Sequence, residues 1–435
     1  MTNQLHTRIA LDGSDWEFKP FYGMDWLMRN SHKPDTRDIH GWLSGGTVPG
    51  SVVHDLWQRG DIPDPTIDLN SLLIEWVPQR TWLYRKRFTA PADLQGRRVL
   101  LRFEGVDYAA QFFLNGEPLG QHASMYTPVE FDVSHVLNYG TENLLAVVLD
   151  PAPAEQPQVS RTSLVRTHKS RMTYWWDFCP RMVHVGIWDR VALVASGPVR
   201  IDDVWVRATL NSDYTRAEVT VQVALDGDAP AEGAIVLSQA GETIVRQRFE
   251  RANGSTGIAQ FTIEDPALWW PNGAGDQPLY EAQVTVRDAN GVESDARMIT
   301  FGIREIVFMP NDTPDTDALP YTPRVNGRKI YIKGWNWVPI DVLYGVERPE
   351  KLEHLLTLAK RANVNMLRIW GGGLIEKEAF YDLCDRLGIM VWQEFIQSSS
   401  GIDNTPSSDP AFLELLESEA RHIVPRKRNH PSLTI

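Results

Sequence analysis

Cysteine is almost missing from this chain, with two in 435 residues. Cys179 and Cys384 lie far apart in unlike surroundings, which excludes a disulfide framework and a zinc spacing and is compatible with a reducing compartment. Positive charge is also in deficit. The balance of 43 Lys and Arg against 56 Asp and Glu leaves −13, so neither a nucleic acid nor an anionic membrane is an expected partner. The clustered basic run Arg426-Lys427-Arg428 is short and reads as a solvated helix end. No window is long and apolar enough to span a membrane, and the N-terminal MTNQLHTRIALDGSDW has no apolar leader. A cytoplasmic protein without metal or cofactor is expected. Tryptophan, by contrast, is plentiful at 16, and although most will be core residues, aromatic faces are what sugars stack against.

The length implies more than one core. Residues 1–196 read as all-β: Thr81–Phe88, Arg98–Phe103, Ala110–Leu114, Asn143–Leu149 and Arg190–Ala195 are short apolar runs set apart by turn signals such as Asn115-Gly116. That spacing predicts a two-sheet sandwich of the jelly-roll type, with a proline-rich excursion from Pro151 to Gln158. Residues 197–302 carry seven further strand-like runs, the immunoglobulin-like pattern without its cysteine pair. Leu268–Tyr280 (LWWPNGAGDQPLY) interrupts them and reads as packing against a neighbouring domain, with a sugar platform as the alternative.

From 303 to 435 strands and helices alternate. Strands are expected at Lys329–Trp335, Val364–Trp370 and Ile389–Phe395, with Ser432–Ile435 opening a fourth. Helices are expected over Glu350–Ala362, from about Glu376 to Gly388, and from Asp409-Pro410 to about Val424. Such βα units suit the first half of a (β/α)8 barrel, and an open doubly wound sheet is the rival. Asn336, Arg368 and Glu394 fall near strand C-termini, the face where barrels do chemistry. The triple glycine Gly371–Gly373 that ends the central strand suggests a loop with unusual backbone angles.

KGWNW (Lys333–Trp337), NMLRIWGGG (Asn365–Gly373), FYDLCDRLGIMVWQEF (Phe380–Phe395), RNHPSL (Arg428–Leu433), LWWPNG at Leu268, FGIRE at Phe301 and WDFCP at Trp176 together resemble family 2 glycoside hydrolases of the β-mannosidase type. The resemblance covers essentially the whole chain. It implies a galactose-binding-like jelly roll, an immunoglobulin-like sandwich and the N-terminal part of a TIM barrel. It also implies retaining hydrolysis of terminal β-mannose from an oligosaccharide by two carboxylic acids. In that family the acid/base glutamate follows shortly after RNHPSL and the nucleophile ends strand seven. Both are expected beyond Ile435, which makes this chain an N-terminal, inactive part of the enzyme.

What the resemblance assigns within the chain is the binding half of the site. Trp370 matches the aromatic residue stacking beneath the terminal sugar, and Arg368 the arginine that steadies the nucleophile. Asp177 matches an aspartate reaching sugar hydroxyls from the first domain, beside Trp176, while Asn336, Trp392 and Glu394 match the pocket floor. Asp177 as a surface residue, Trp392 as core filler and Glu394 as structural partner of Arg368 are the alternatives. Trp335, Trp337 and the loop Ile396–Asn404 depart from the β-mannosidase pattern at the rim, which leaves another β-glycoside (glucuronide or galactoside) as a competing substrate; two sandwiches and a half barrel acting as a non-catalytic carbohydrate-binding protein is the reading outside enzymes. A homodimer is compatible with all of them.

Overall fold

A computed structural model describes residues 6–154, 161–227, 231–250, 256–311, 317, 319–397, 403 and 405–435. The end of the proline-rich excursion and most of the loop 396–404 lie outside them.

The first sandwich sets a six-stranded antiparallel sheet against a four-stranded one. The larger runs Leu43–Val48, Gly13–Phe21, Thr81–Thr89, Glu142–Leu149, Ala109–Leu114, Glu117–Ala123. The smaller runs Thr7–Ala10, Val191–Ser196, Arg98–Phe103, Val129–Asp132. Strand Glu142–Leu149 is buried on both faces because Leu145, Val147 and Leu149 enter the main core while Ala146 and Val148 pack beneath Trp26 and Phe113. Asn115 and Gly116 form the tight hairpin turn, with φ of 55° and 86°, values that Asn and Gly adopt at least cost.

The second sandwich pairs Arg200–Leu210, Arg216–Asp226 and Thr256–Glu264 against a sheet of Glu242–Glu250, Ala231–Gln239, Tyr280–Asp288 and Glu293–Phe301. All seven expected runs are strands. Alternation is strict along Thr256–Glu264, where Gly257, Ala259, Phe261 and Ile263 face inward. The interrupting stretch packs rather than presenting an open aromatic platform. Trp269 is fully buried with its indole N–H on the Asp385 carbonyl at 2.8 Å, and the Asn272 amide bonds the Lys360 and Val364 carbonyls.

Three parallel strands follow, Gly334–Trp337, Met366–Ile369 and Met390–Gln393. Helices Pro349–Arg361 and Glu378–Leu387 cover their outer face, where Leu356, Ala359, Phe380 and Cys384 close over Leu367, Ile369 and Val391. Burying a side chain such as Phe380 stabilises by roughly 1.5–3 kcal/mol. Gly388 ends the second helix at φ 75°, and Asp409 caps helix Pro410–Lys427 by accepting from the Phe412 N–H at 3.0 Å. A fourth strand opens as expected: Val391 N donates to Ser432 O at 2.7 Å and Gln393 N to Ile435 O at 2.8 Å.

The first barrel strand differs from expectation. Arg328–Lys329 turns back on Thr322–Val325 through Asn326-Gly327, and parallel pairing starts only at Gly334. Ile330 and Ile332 are drawn instead into a cluster with Trp269, Met366 and Met390 at the bottom of the sheet. Among the described residues no helix is long and apolar enough to cross a membrane.

Candidate functional site

Strand alternation selects the residues of the site. Leu367 and Ile369 turn to the helices, so Arg368 must turn the other way, and parallel register sets Asn336, Arg368 and Trp392 level on three strands. These groups are linked. Arg368 Nε and Nη2 both reach Glu394 Oε1, at 2.7 and 2.6 Å, and Nη1 donates to Asn336 Oδ1 at 3.0 Å. Glu394 Oε2 accepts from the Gly371 N–H at 2.9 Å. With both carboxylate oxygens engaged by fixed donors, Glu394 holds the arginine and the turn after the strand in one arrangement.

None of Gly371–Gly373 has a positive φ, contrary to the expectation of unusual backbone angles. Space is what requires them. A Cβ on Gly371 would lie 2.8 Å from the Phe395 carbonyl oxygen and 2.9 Å from Glu394 Oε2, and one on Gly372 would lie 2.1 Å from the Trp370 ring. Glycine lets the turn fold under the indole.

Trp370 meets the first sandwich. Its ring centre is 4.8 Å from that of Trp176, tilted by 54°, and 5.8 Å from that of Phe178, edge-on at 70°. Trp176 and Cys179 exchange backbone hydrogen bonds at 3.0 and 3.2 Å, which leaves Asp177 and Phe178 at the exposed tip of a tight turn. Among the described residues the Asp177 carboxylate has no hydrogen-bond or ion-pair partner. Trp175, just before it, is held at φ 118°, a region that residues with a Cβ avoid. Burial pushes the Cys179 thiol up to about 12, which makes it a packing group and not a nucleophile.

Two further polar groupings lie off this face. Glu376 accepts from the Trp337 indole N–H at 3.0 Å, and burial, only partly offset by that bond, pushes its carboxyl up to about 7. It lines a cavity of about 420 Å³ with Pro339, Tyr344, Leu374 and Lys377, which neither Arg368 nor Trp370 enters. Asp382, Asp385 and His430 offer ligand atoms within 4.8 Å of one another. Both His430 ring nitrogens face carboxylates, however: Nδ1 is 2.7 Å from Asp385 and Nε2 is 3.0 Å from Glu378. Against burial, those carboxylates raise the imidazole to about 9, so the ring is held as a cation between Asp385 and Glu378.

Three family models match in the order of these layers. Residues 26–189 match the glycosyl hydrolase 2 galactose-binding domain-like model, 199–304 glycosyl hydrolases family 2, and 322–435 the family's TIM barrel domain. The chain belongs to glycoside hydrolase family 2. Family 2 relatives include beta-mannosidase B of Emericella nidulans, 31% identical over 94% of this chain and 49% of its own length. The beta-mannosidase B of Thermothelomyces thermophilus is 31% identical over 94% and 48%. The chain thus spans about half the length of the curated relatives it matches. Among solved structures, the beta-D-mannosidase of Dictyoglomus thermophilum superposes with a TM-score of 0.82 at 30% identity, over 98% of this chain and 51% of that one. A Bifidobacterium dentium beta-glucuronidase shares the fold at 22% identity, with a TM-score of 0.72 over 100% and 68%.

Within this family 2 fold, Trp176, Asn336, Arg368, Trp370, Trp392 and Glu394 gather on the strand-end face and its wall, with Asp177 on the turn above. Sequence reasoning missed the buried polar groups that flank the loop carrying Trp176, His168, Lys169 and Glu419 among them. His168 accepts from the Ile396 N–H at 2.8 Å and pairs with Glu419, both fully buried. The available signal was the polar run THKSR just ahead of the aromatic stretch MTYWWDF, where so many hydrophilic groups need partners.

Proposed function

We propose that this chain supplies the sugar-binding half of a retaining exo-β-glycosidase of the β-mannosidase type. The observation that carries the reading is the level set Asn336, Arg368 and Trp392 lying below a wall made by Trp176 and Trp370 from two different layers. A face walled on one side by aromatic rings, with polar groups level beneath them and an unpartnered carboxylate above, suits one terminal sugar ring. Asp177 can accept hydrogen bonds from two adjacent hydroxyls. A glucuronide would call for a cation free to meet its carboxylate, and Arg368 is already held by Glu394 and Asn336. The Emericella and Dictyoglomus relatives point the same way.

Retaining glycosidases use two carboxyl groups about 5–5.5 Å apart, one protonating the leaving oxygen while the other attacks the anomeric carbon. The family resemblance puts both in the part of the relatives' length that this chain does not span. The 435 residues alone are then expected to leave an aryl β-mannoside intact, and the chain extended through a complete barrel to hydrolyse it in preference to the β-glucuronide and β-galactoside. Turnover by the 435 residues would overturn the division of labour, and a preference for the glucuronide would overturn the substrate. In the extended enzyme Asp177→Ala should lower kcat/KM by about one to two powers of ten, the worth of hydrogen bonds to a charged group. An unchanged value would remove Asp177 from the sugar site.

A further inference from the structure

Between Lys169 and His184 the chain holds one short 3-10 turn, Met172–Tyr174, and no strand. This is the loop that carries Trp176 and Asp177. A loop without ladder hydrogen bonds keeps one conformation only if its ends and flanks are tied.

Its two ends are tied to each other. The Lys169 ammonium donates to the His184 carbonyl oxygen at 2.9 Å and pairs with the Asp107 carboxylate. His184 Nδ1 lies 2.9 Å from Asp107 Oδ2, and the Tyr344 hydroxyl donates to that same oxygen at 2.7 Å. The Tyr344 ring stacks on the His184 ring with centres 4.2 Å apart. Asp107 and Lys169 have no exposure, and His184 and Tyr344 have 2% and 7%. Burial alone would raise the Asp107 carboxyl, but Lys169 and His184 hold it below the usual carboxylate range.

Three parts of the molecule therefore meet at one carboxylate. Asp107 belongs to the first sandwich, Lys169 and His184 are the neck of the loop, and Tyr344 follows the first barrel strand. Beyond the neck, Arg171 N and Met172 N both donate to Gly372 O at 3.0 Å, in the turn beneath Trp370. Packed apolar side chains of similar volume would hold such a neck as firmly or more so, because burying an ion pair is costly. What directional bonds from three donors add is a single arrangement of the parts they join.

We propose that Asp107, Lys169, His184 and Tyr344 are positioning residues that pinch the neck of the 170–183 loop and so set the height and tilt of Trp176 and Asp177 over Trp370. Its consequence for sugar binding rests on the function proposed above, whereas its consequence for loop geometry does not.

The test has one arm for each. The Trp176–Trp370 pair, close and tilted, should give an exciton couplet in far-ultraviolet circular dichroism, assigned as the difference spectrum lost in Trp370→Phe. In the 435-residue chain, Tyr344→Phe keeps the ring and removes one donor, and Lys169→Met removes the cation. The couplet should fall by about half or more in Tyr344→Phe, with the cooperative thermal transition retained and displaced by only a few degrees, on the order of what one hydrogen bond contributes. In the extended enzyme the same variant should lose about ten- to a hundredfold in kcat/KM for an aryl β-mannoside. It should add little to Asp177→Ala, as residues acting through one another do. An unchanged couplet in both variants, or one that weakens only when the thermal transition itself is lost, overturns the positioning role. A lost couplet with unchanged kcat/KM leaves the positioning intact and overturns the sugar-contact reading instead.

Discussion

The immunoglobulin-like sandwich and the parallel sheet beyond it bury one set of side chains by the same period-two alternation and use the other set differently. On strand Thr256–Glu264 the outward residues meet water and near neighbours, as Thr262 does in bonding Glu218 at 3.0 Å. On strand Met366–Ile369 the residue turned away from the helices is Arg368, cross-linked to a second strand through Asn336 and to the end of a third through Glu394. In the first case the second face meets solvent, whereas in the second it carries a cross-linked polar cluster, the face proposed above to bind sugar. The sandwich core shares no residue with the Arg368 cluster, so the one can be perturbed without the other.

The largest expected effect is on the sandwich. Leu237 is fully buried in its core, and Leu237→Ala should cost about 3 kcal/mol in urea unfolding while leaving the Trp176–Trp370 couplet intact. Loss of the couplet would break the separation of the layers.

His430 comes next, because it fastens the segment leading into the fourth strand to the second barrel helix. Its pKa is raised to about 9, so its contribution is fully present below the ordinary value near 6.5 and is lost as pH rises through about 9. Its partner Glu378 is lowered to about 2, so that contribution is present above the ordinary carboxylate value and is lost as pH falls through about 2. His430→Asn should therefore destabilise by about 2–3 kcal/mol at pH 6 and by much less at pH 10, measured as urea midpoints. An equal loss at both pH values would show that packing, not charge, fastens the segment.

Glu376 acts in the opposite direction. Its carboxyl is raised to about 7, so it carries no penalty where both states are protonated and a growing one as pH climbs from about 4.5 to 7. Glu376→Gln, which keeps an acceptor for the Trp337 indole, should stabilise by on the order of 1–2 kcal/mol at pH 8 and hardly at pH 4. Equal stability of the two proteins at pH 8 would refute the buried charge.

The smallest stability effect belongs to the rim. Asp177 is exposed and unpartnered among the described residues, so Asp177→Ala should move the unfolding free energy by no more than about 0.5 kcal/mol. A larger loss would make it a brace of the interface.

Local chemistry was enough for most elements. The seven sandwich strands, the Asn115-Gly116 turn, the helix stops at Gly388 and start at Asp409, and the alternation that turns Arg368 away from Leu367 follow from side chains acting within a few residues. The strands Thr7–Ala10 and Gly13–Phe21 were not legible, because Asp12-Gly13 and Pro20 interrupt the pattern of IALDGSDWEFKPF and its partners, near Val191, Leu43 and Thr81, are distant in sequence. Family motifs named the candidate site residues without placing them. Only the tertiary structure decided that Gly371 and Gly372 are required for space, that Glu394 spends both oxygens on Arg368 and Gly371, and that a sandwich loop pinched at Asp107 brings Trp176 to Trp370. Each depends on atoms tens to hundreds of residues apart, whose approach is set by packing and by the partners buried charges must find, and no local pattern records it.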